Sequence, residues 1–259
     1  MQELARARNG RASPHFRESE EAAGAVVDAQ KPLYKTVVHD TDHSAFRLAV
    51  MEATAVIGRV FAFDKNARRA LEHVVSARSV LRRVVMLHRR GRRTVGYHFL
   101  TYETVELEGR RVCVCRSLAG FQPGSRGTHS LVREAFVTTL RVLLQVRMPM
   151  YLITVSATPS DYKSLATATN QLYPSPGYGG DDLTPAVLEA CMADWQAPSS
   201  YVPRIGEVTK PDPDVDSDFF LARRPHYRDG IGLPVCVPLN LRTVMSLAFT
   251  SGETRTLRR

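Results

Sequence analysis

The pattern of apolar and polar positions divides the chain into segments of different periodicity. Residues 1–40 are polar with little apolar periodicity, and we predict a flexible leader there. In HSAFRLAVMEATAVIGRVFAF, which begins at His43, apolar residues recur at helical spacing and predict an amphipathic helix. A second helix is predicted in DKNARRALEHVVSARSVL, where Asp64 has the position of an N-cap.

The period changes after residue 81. Three runs rich in apolar and β-branched residues, over residues 84–88, 94–102 and 112–120, predict strands. Two glycine-containing turns, RRGRR and LEGRR, join them into an antiparallel arrangement. Because the runs are almost continuously apolar, we expect both faces of these strands to be covered.

The second half of the chain alternates between helix and strand. SLVREAFVTTLRVLLQVRMP predicts a long helix that ends before Pro149, and MYLITVSA predicts a buried strand. Helices are also predicted in SDYKSLATATNQLY and TPAVLEACMADWQ, followed by a loop over residues 197–218. The segment GLPVCVPLNLRTVMSLAF adds a last strand and a terminal helix. This order predicts a single mixed α/β layer structure.

The composition narrows the classes of protein. With 44% hydrophobic residues among 259, the chain can bury a sizeable core, which excludes wholesale disorder. Lys and Arg number 35 against 26 Asp and Glu, and this formal net charge of +9 favours an anionic partner. No apolar stretch approaches the roughly 18 residues of a membrane span, and the N-terminus has no apolar signal core. We therefore predict a cytoplasmic protein.

Cysteine spacing argues against a disulfide scaffold and against zinc. The four cysteines, at positions 113, 115, 191 and 236, are few and scattered. Cys113 and Cys115 lie two residues apart on a predicted strand, so their side chains point to the same face. No second pair of His or Cys residues with the spacing of zinc ligands follows them. We predict buried, reduced thiols and no metal.

Three short motifs match known signatures only in part. SDYK, from Ser160, has the S-x-x-K spacing of penicillin-binding enzymes but lacks their K-T-G and S-D-N partners. DPDVDSDFFLAR begins like a calcium loop but has Ser217 and Arg223 where glycine and glutamate are required. GYGG does not open a helix after a strand. These segments are interpreted as a helix start and polar loops.

The basic cluster HRRGRR, residues 88–93, has the charge to contact phosphate groups. It lies on a predicted hairpin turn and has no interleaved aromatic residues on which bases would stack. Two interpretations stay open, a solvated turn and a docking patch for an acidic partner.

The segment FQPGSRGTHSLVREAF connects a predicted strand to the longest predicted helix. Free N–H groups at a helix N-terminus stabilise an anion. Gly124 and Gly127 let the backbone approach a ligand closely, and Arg126 adds a forked donor suited to phosphate. Thr128 or Ser130 can equally be an ordinary N-cap. The residues alone leave anion binding and simple capping open.

Residues 80–180 together resemble the GCN5-related N-acetyltransferase (GNAT) superfamily, as a divergent member. The resemblance rests on VGY early in the second strand, a Pro-x-x-Arg-Gly turn before the long helix, the buried strand after it, and LYPSPGY. It implies an α/β (α+β) fold with a GNAT-like mixed, mainly antiparallel central sheet flanked by helices on both faces. We predict a GNAT-like acyltransferase domain over residues 41–200 and a C-terminal extension, residues 201–259, packed on it.

The resemblance implies acetyl-CoA, or another acyl-CoA, as co-substrate. In the family, the loop that wraps its pyrophosphate with backbone amides corresponds here to Arg126, Gly127, Thr128, His129, Ser130 and Leu131. Arg126 matches the first position of the family pattern, whereas His129 and Leu131 stand at its small-residue positions. The resemblance also implies that backbone N–H groups on the third strand polarise the thioester carbonyl. These are the N–H groups of Leu118, Ala119 and Gly120.

The resemblance also implies the catalytic groups of a direct attack by an amine. Tyr173 has the position of the tyrosine that protonates the leaving thiolate, and a packed aromatic at a helix end is the alternative. The third strand has no carboxylate, so Glu103 and His98 on the preceding strand are the candidate general bases.

The implied function is acyl transfer from acyl-CoA to an unidentified amine on a small molecule or peptide, with no membrane partner. A GNAT-fold binding or scaffold protein without catalysis is the first alternative. A nucleic-acid-binding module is the second and rests on charge alone. A homodimer is left open.

Overall fold

The computed structural model describes residues 33–60, 80–122, 130–194, 215–225 and 232–253. Within these ranges the chain forms six strands and six helices. The strands are β1 Leu33–His39, β2 Val80–Arg90, β3 Arg93–Leu107, β4 Arg110–Phe121, β5 Met150–Ser156 and β6 Leu233–Leu239. The helices are α1 His43–Val60, α2 Ser130–Gln145, α3 Pro159–Ala168, α4 Leu183–Asp194, α5 Val215–Arg223 and α6 Leu241–Glu253.

All six strands form one sheet in chain order. Strands β1 to β4 pair antiparallel. The two tight turns among them contain Gly91 and Gly109, whose φ angles of 60° and 73° favour glycine. β5 pairs parallel with β4, and the crossover between them contains α2, whereas β6 pairs antiparallel with β5.

Alternating side chains give the sheet two covered faces. One face packs against α1 and α4; examples are Val85 and Phe99 beneath α1, and Ile153 beneath α4. The other face packs against α2, α3, α5 and α6, with Met86 and Val235 among its buried residues. We call these the α1 face and the α2 face. The predicted mixed sheet with helices on both faces is confirmed.

Two segments form regular structure where the sequence predicted none. Residues 33–39, at the end of the predicted flexible leader, form β1 and pair with β2. Lys35 and Thr36 stand next to each other among apolar residues, and polar side chains of this kind are tolerated on an edge strand. Residues 215–223, partly within the predicted loop, form α5, whose Phe220 is fully buried.

The predicted helix SDYKSLATATNQLY also ends early, at Ala168. The predicted second helix, over residues 64–81, lies mainly outside the described residues, as do residues 1–32 of the leader. Among the described helices, none combines the length and the hydrophobicity needed to cross a bilayer.

Candidate active site

Strands β4 and β5 run side by side for only part of their length. They pair in parallel over Cys113–Arg116 and Met150–Ile153. Beyond these residues β4 continues along β3, while β5 continues along β6. The sheet therefore opens between residues 117–121 and 154–156, and we call this gap the β4–β5 opening.

The backbone of β4 directs hydrogen-bonding groups into the opening. The N–H of Cys113 donates to the carbonyl of Pro149 at 2.8 Å, so the backbone of Cys113 faces β5. Because successive residues of a strand alternate sides, the N–H and C=O groups of Ser117 and Ala119 face the same way. An extended ligand placed in the opening can form backbone hydrogen bonds with these groups.

The three sequence-predicted backbone donors do not share one direction. By the same alternation, the N–H of Ala119 faces the opening, whereas those of Leu118 and Gly120 face β3. At the start of the opening, the hydroxyl of Thr154 donates to the carbonyl of Ser117 at 3.1 Å. This contact ties β5 to β4 at the last point where the two strands are close.

His98 and Ser117 form a hydrogen-bonded pair beside the opening, on the α2 face. His98 Nε2 lies 2.9 Å from Ser117 Oγ. Burial, with a smaller contribution from His88, lowers the pKa of His98 to about 4, so the ring is neutral at neutral pH. A neutral ring can accept the hydroxyl proton of Ser117 at Nε2. The pair is thus a hydroxyl held by a base.

A second buried imidazole, His88, lies near His98. Its ring meets the ring of Phe121 edge-on, with centroids 5.0 Å apart. Burial, followed by the charge of Lys35, lowers the pKa of His88 to about 4. Both imidazoles are therefore uncharged at neutral pH.

Several buried polar atoms at this end of the sheet have no hydrogen-bond partner among the described residues. They are both ring nitrogens of His88, Nδ1 of His98, Nε2 of Gln122 and Oγ of Ser156. Each unpaired buried group costs about 1–3 kcal/mol. Such a concentration beside an opening in the sheet is typical of a place where a ligand supplies the missing partners.

Two glycines permit close packing of aromatic rings at this end of the sheet. A Cβ on Gly96 would lie 2.4 Å from a ring carbon of Phe121, and a Cβ on Gly120 would lie 2.9 Å from the ring of Tyr97. Gly96 belongs to the VGY motif, so the conformation of Phe121 beside His88 depends on that motif.

Glu103 lies on the α1 face, where α4 covers it. Its carboxylate accepts a hydrogen bond from Nε of Arg116, and both side chains are almost fully buried. Nη1 of Arg116 also donates to the carbonyl of Cys191 at 3.2 Å. The negative charge of Glu103 is thus balanced by a buried guanidinium.

Tyr173 lies at the outer edge of β6. Its backbone N–H and C=O exchange hydrogen bonds with Cys236 at 2.9 and 2.7 Å. Cys236 pairs with Ile153 and Ile153 with Arg116, so three strand spacings, roughly 14 Å, separate the backbones of Tyr173 and Arg116. The ring of Tyr173 is half-buried on the α1 face and meets the ring of Tyr178 edge-on at 5.2 Å.

The sheet therefore separates the three predicted catalytic residues. His98 lies on the α2 face beside the opening, whereas Glu103 and Tyr173 lie on the α1 face. Sequence reasoning missed Ser117, His88 and Ser156. The position of Ser117 could have been predicted from the register that the LEGRR turn sets between β3 and β4. This register places Ala119 opposite His98, and Ser117 lies diagonally across from His98 on the same face.

The predicted pyrophosphate loop falls largely outside the described residues. This applies to Arg126, Gly127, Thr128 and His129. Ser130 and Leu131 begin α2. Among the described residues, no cluster of His, Cys, Asp or Glu is arranged to hold a metal ion.

Comparison with known proteins found no matching family model and no matching curated protein. Among solved structures, one match is a conserved protein from Enterococcus faecalis, described as a probable N-acyltransferase. It is 11% identical, with a TM-score of 0.33, over 48% of this chain and 29% of that one. The chain thus matches less than a third of that protein's length.

Two smaller proteins also match. An acetyltransferase from Thermus thermophilus is 18% identical, with a TM-score of 0.32, over 56% of this chain and 91% of that one. An aminoglycoside acetyltransferase from an uncultured soil metagenomic sample, in complex with sisomicin, is 8% identical, with a TM-score of 0.28, over 70% of this chain and 97% of that one. By itself, the order and pairing of the strands give this chain one mixed, mainly antiparallel sheet.

Proposed function

We propose that this protein is an acyl-CoA-dependent N-acyltransferase, which transfers an acetyl or related group from acyl-CoA to an amine. The observation that carries the proposal is the β4–β5 opening. It combines backbone groups of β4 that do not pair with β5 and buried polar side chains of the α2 face that have no hydrogen-bond partner among the described residues. These groups are suited to a narrow ligand that has both amide groups and a reactive carbonyl.

The two amides of a pantetheine arm can pair with the backbone of Ser117 and Ala119 as an added strand would. The thioester carbonyl then lies close to the N–H of Ala119, which stabilises the oxygen as it gains charge. The pyrophosphate belongs at the N-terminus of α2, where Arg126 and Gly127 precede the helix.

The His98–Ser117 pair supplies the proton acceptor. The amine nitrogen bonds to the thioester carbon, and the carbon–sulfur bond breaks as the CoA thiolate leaves. The amine proton passes to Ser117 Oγ while the hydroxyl proton of Ser117 passes to His98 Nε2. The leaving thiolate takes a proton from solvent or, as the resemblance implies, from Tyr173. Glu103 is the weaker candidate base because Arg116 already neutralises its charge.

The first test is calorimetric titration with acetyl-CoA and CoA, together with CoA release in the presence of a panel of amines. We expect binding at sub-millimolar concentration and turnover with at least one amine. Ser117→Ala and His98→Asn should each lower kcat by about 10²–10⁴-fold while acetyl-CoA affinity is kept. Ser164→Ala, which removes an exposed serine hydroxyl on α3, is the matched control and should leave kcat unchanged. Absence of acyl-CoA binding contradicts the proposal.

A binding or scaffold protein that has lost catalysis is the second candidate. It is favoured by the pairing of Glu103 with Arg116 and by the distance of Tyr173 from the opening. In that case acetyl-CoA binds without turnover of any amine, and neither His98→Asn nor Tyr173→Phe changes the rate of CoA release.

A further inference from the structure

A basic recess lies between α1 and the turn that joins β2 to β3. Its volume is about 620 Å³, within the usual range of small-molecule sites. Its charged lining consists of four arginines and one glutamate, namely Arg59, Arg89, Arg92, Arg93 and Glu52. We call it the arginine recess. It contains three of the four arginines of the basic cluster HRRGRR, and the proposed acyl transfer uses none of the three.

One side of the recess is fixed by a hydrogen-bonded brace. Arg89 Nη2 donates to both carboxylate oxygens of Glu52, at 2.7 and 2.8 Å, and the hydroxyl of Thr94 donates to the same carboxylate at 2.7 Å. The β2–β3 register shifts next to Arg89, which pairs with Thr94 while Gly96 pairs with His88. This bulge turns Thr94 toward α1. The brace therefore holds α1 against the turn.

The brace also uses the recess's acidic group. Glu52 is neutralised by Arg89, which leaves Arg59, Arg92 and Arg93, with a summed charge of +3, lining the same space. Within the described part of the chain, none of these three makes an ion pair. Like charges held around one recess repel one another, and an anion in the recess relieves that repulsion.

We propose that the arginine recess binds a small phosphoanion with two or more negative charges, such as the diphosphate group of a small molecule. Guanidinium groups present paired N–H donors that match phosphate oxygens. The exposed side chains of Arg59, Arg92 and Arg93 reach it from two elements, α1 and the turn. The recess lies on the α1 face, and the His98–Ser117 pair lies on the α2 face, so this site does not depend on acyl transfer.

The test is calorimetric titration of the full chain with inorganic pyrophosphate, and with citrate as a carboxylate probe. We expect pyrophosphate to bind, to bind more tightly than citrate, and to weaken as salt concentration rises. The double variant Arg92→Gln/Arg93→Gln should raise the pyrophosphate Kd at least tenfold. Both positions are exposed, so the melting temperature should stay that of the unmodified protein.

The β3–β4 turn supplies a matched control. It also has two exposed arginines directly after a glycine of positive φ, Arg110 and Arg111 after Gly109. Arg110→Gln/Arg111→Gln removes the same charge and should leave the pyrophosphate Kd unchanged. An equal loss in both double variants means that total charge, and not the recess, binds the anion, and this overturns the proposal.

The predicted acyl-CoA loop is the competing site for pyrophosphate. Arg126→Gln should leave pyrophosphate binding intact and weaken acetyl-CoA binding. The proposal is overturned if Arg126→Gln abolishes pyrophosphate binding while Arg92→Gln/Arg93→Gln does not, or if pyrophosphate does not bind at all. A failure of acetyl-CoA to bind contradicts only the proposed acyl transfer.

Discussion

The two halves of strand β4 differ in how their polar groups are satisfied. In the first half, from Cys113 to Arg116, a neighbouring strand lies on both sides, and the buried charge of Arg116 is balanced by Glu103. In the second half β5 is no longer paired with β4, and the buried polar atoms near it include nitrogens of His88 and His98 that have no hydrogen-bond partner within the described ranges. Each half contains buried residues, Val112–Arg116 in the first and Leu118 and Gly120 in the second, so burial alone does not identify the candidate site. Buried polar groups without a hydrogen-bond partner among the described residues do.

The largest effect should come from breaking the satisfied half. Arg116→Met leaves the carboxylate of Glu103 buried without its counter-charge, and we expect a loss of about 3–5 kcal/mol in the free energy of unfolding. Urea denaturation measures it. The double variant Glu103→Met/Arg116→Met removes both charges and should recover most of the loss. A single-variant loss below about 1 kcal/mol contradicts a balanced buried pair.

Acid should destabilise the protein through the second half. His88 and His98 have pKa values of about 4, below the ordinary 6.5, so the unfolded chain takes up protons first as pH falls. Their contribution to the free energy of unfolding is fully present above pH 6.5 and is lost as the pH falls from 6.5 to about 4. At about 1.4 kcal/mol per pKa unit, each contributes at most roughly 3 kcal/mol. Between pH 6.5 and about 4, the free energy of unfolding should change less with pH in His88→Leu than in the unmodified protein. An unchanged pH dependence counts against a lowered pKa for His88.

A smaller loss should follow from crowding Phe121. Gly96→Ala places a methyl group against the Phe121 ring, and overpacking of this kind costs about 1–3 kcal/mol. Gly177→Ala is the matched control, because its new methyl meets nothing within 4 Å. Thermal unfolding compares the two. Gly96→Ala/Phe121→Leu should restore stability, and equal melting temperatures for Gly96→Ala and Gly177→Ala would refute the contact.

The smallest change in stability should come from Ser117→Ala. It removes one neutral hydrogen bond to His98, which contributes about 1 kcal/mol. Under the proposed function the same variant has a large effect on kcat. A substitution in the first half of β4, at Arg116, should therefore change stability most, and a substitution in the second half, at Ser117, should change activity most. A loss in urea denaturation as large as that of Arg116→Met would assign Ser117 a structural role.

Local patterns were sufficient to predict most of the fold. Runs of β-branched residues and two glycine turns predict β2, β3 and β4, and helical spacing predicts α1 and α2. β1 was missed because an edge strand with Lys35 and Thr36 has the polarity of a leader. Its pairing with β2 depends on residues more than forty positions away, which no local pattern contains.

The candidate site was less predictable for a similar reason. His98 and Glu103 both stood out as polar residues in an apolar strand, but their different environments depend on which face each occupies and on what covers it. Arg116 neutralises Glu103 from across the hairpin, and α4 completes the enclosure through Cys191. The end of β4–β5 pairing, which defines the opening, is a property of the assembled sheet.

The four buried cysteines can be used to measure how fast the folded protein unfolds. All are at most 1% exposed and none is in a disulfide, and burial raises the pKa of Cys113 to about 12. Thiol reagents should therefore label the chain only as fast as the sheet unfolds. For the same reason, an acyl group that becomes attached to the folded protein will be on oxygen or nitrogen and not on a cysteine sulfur.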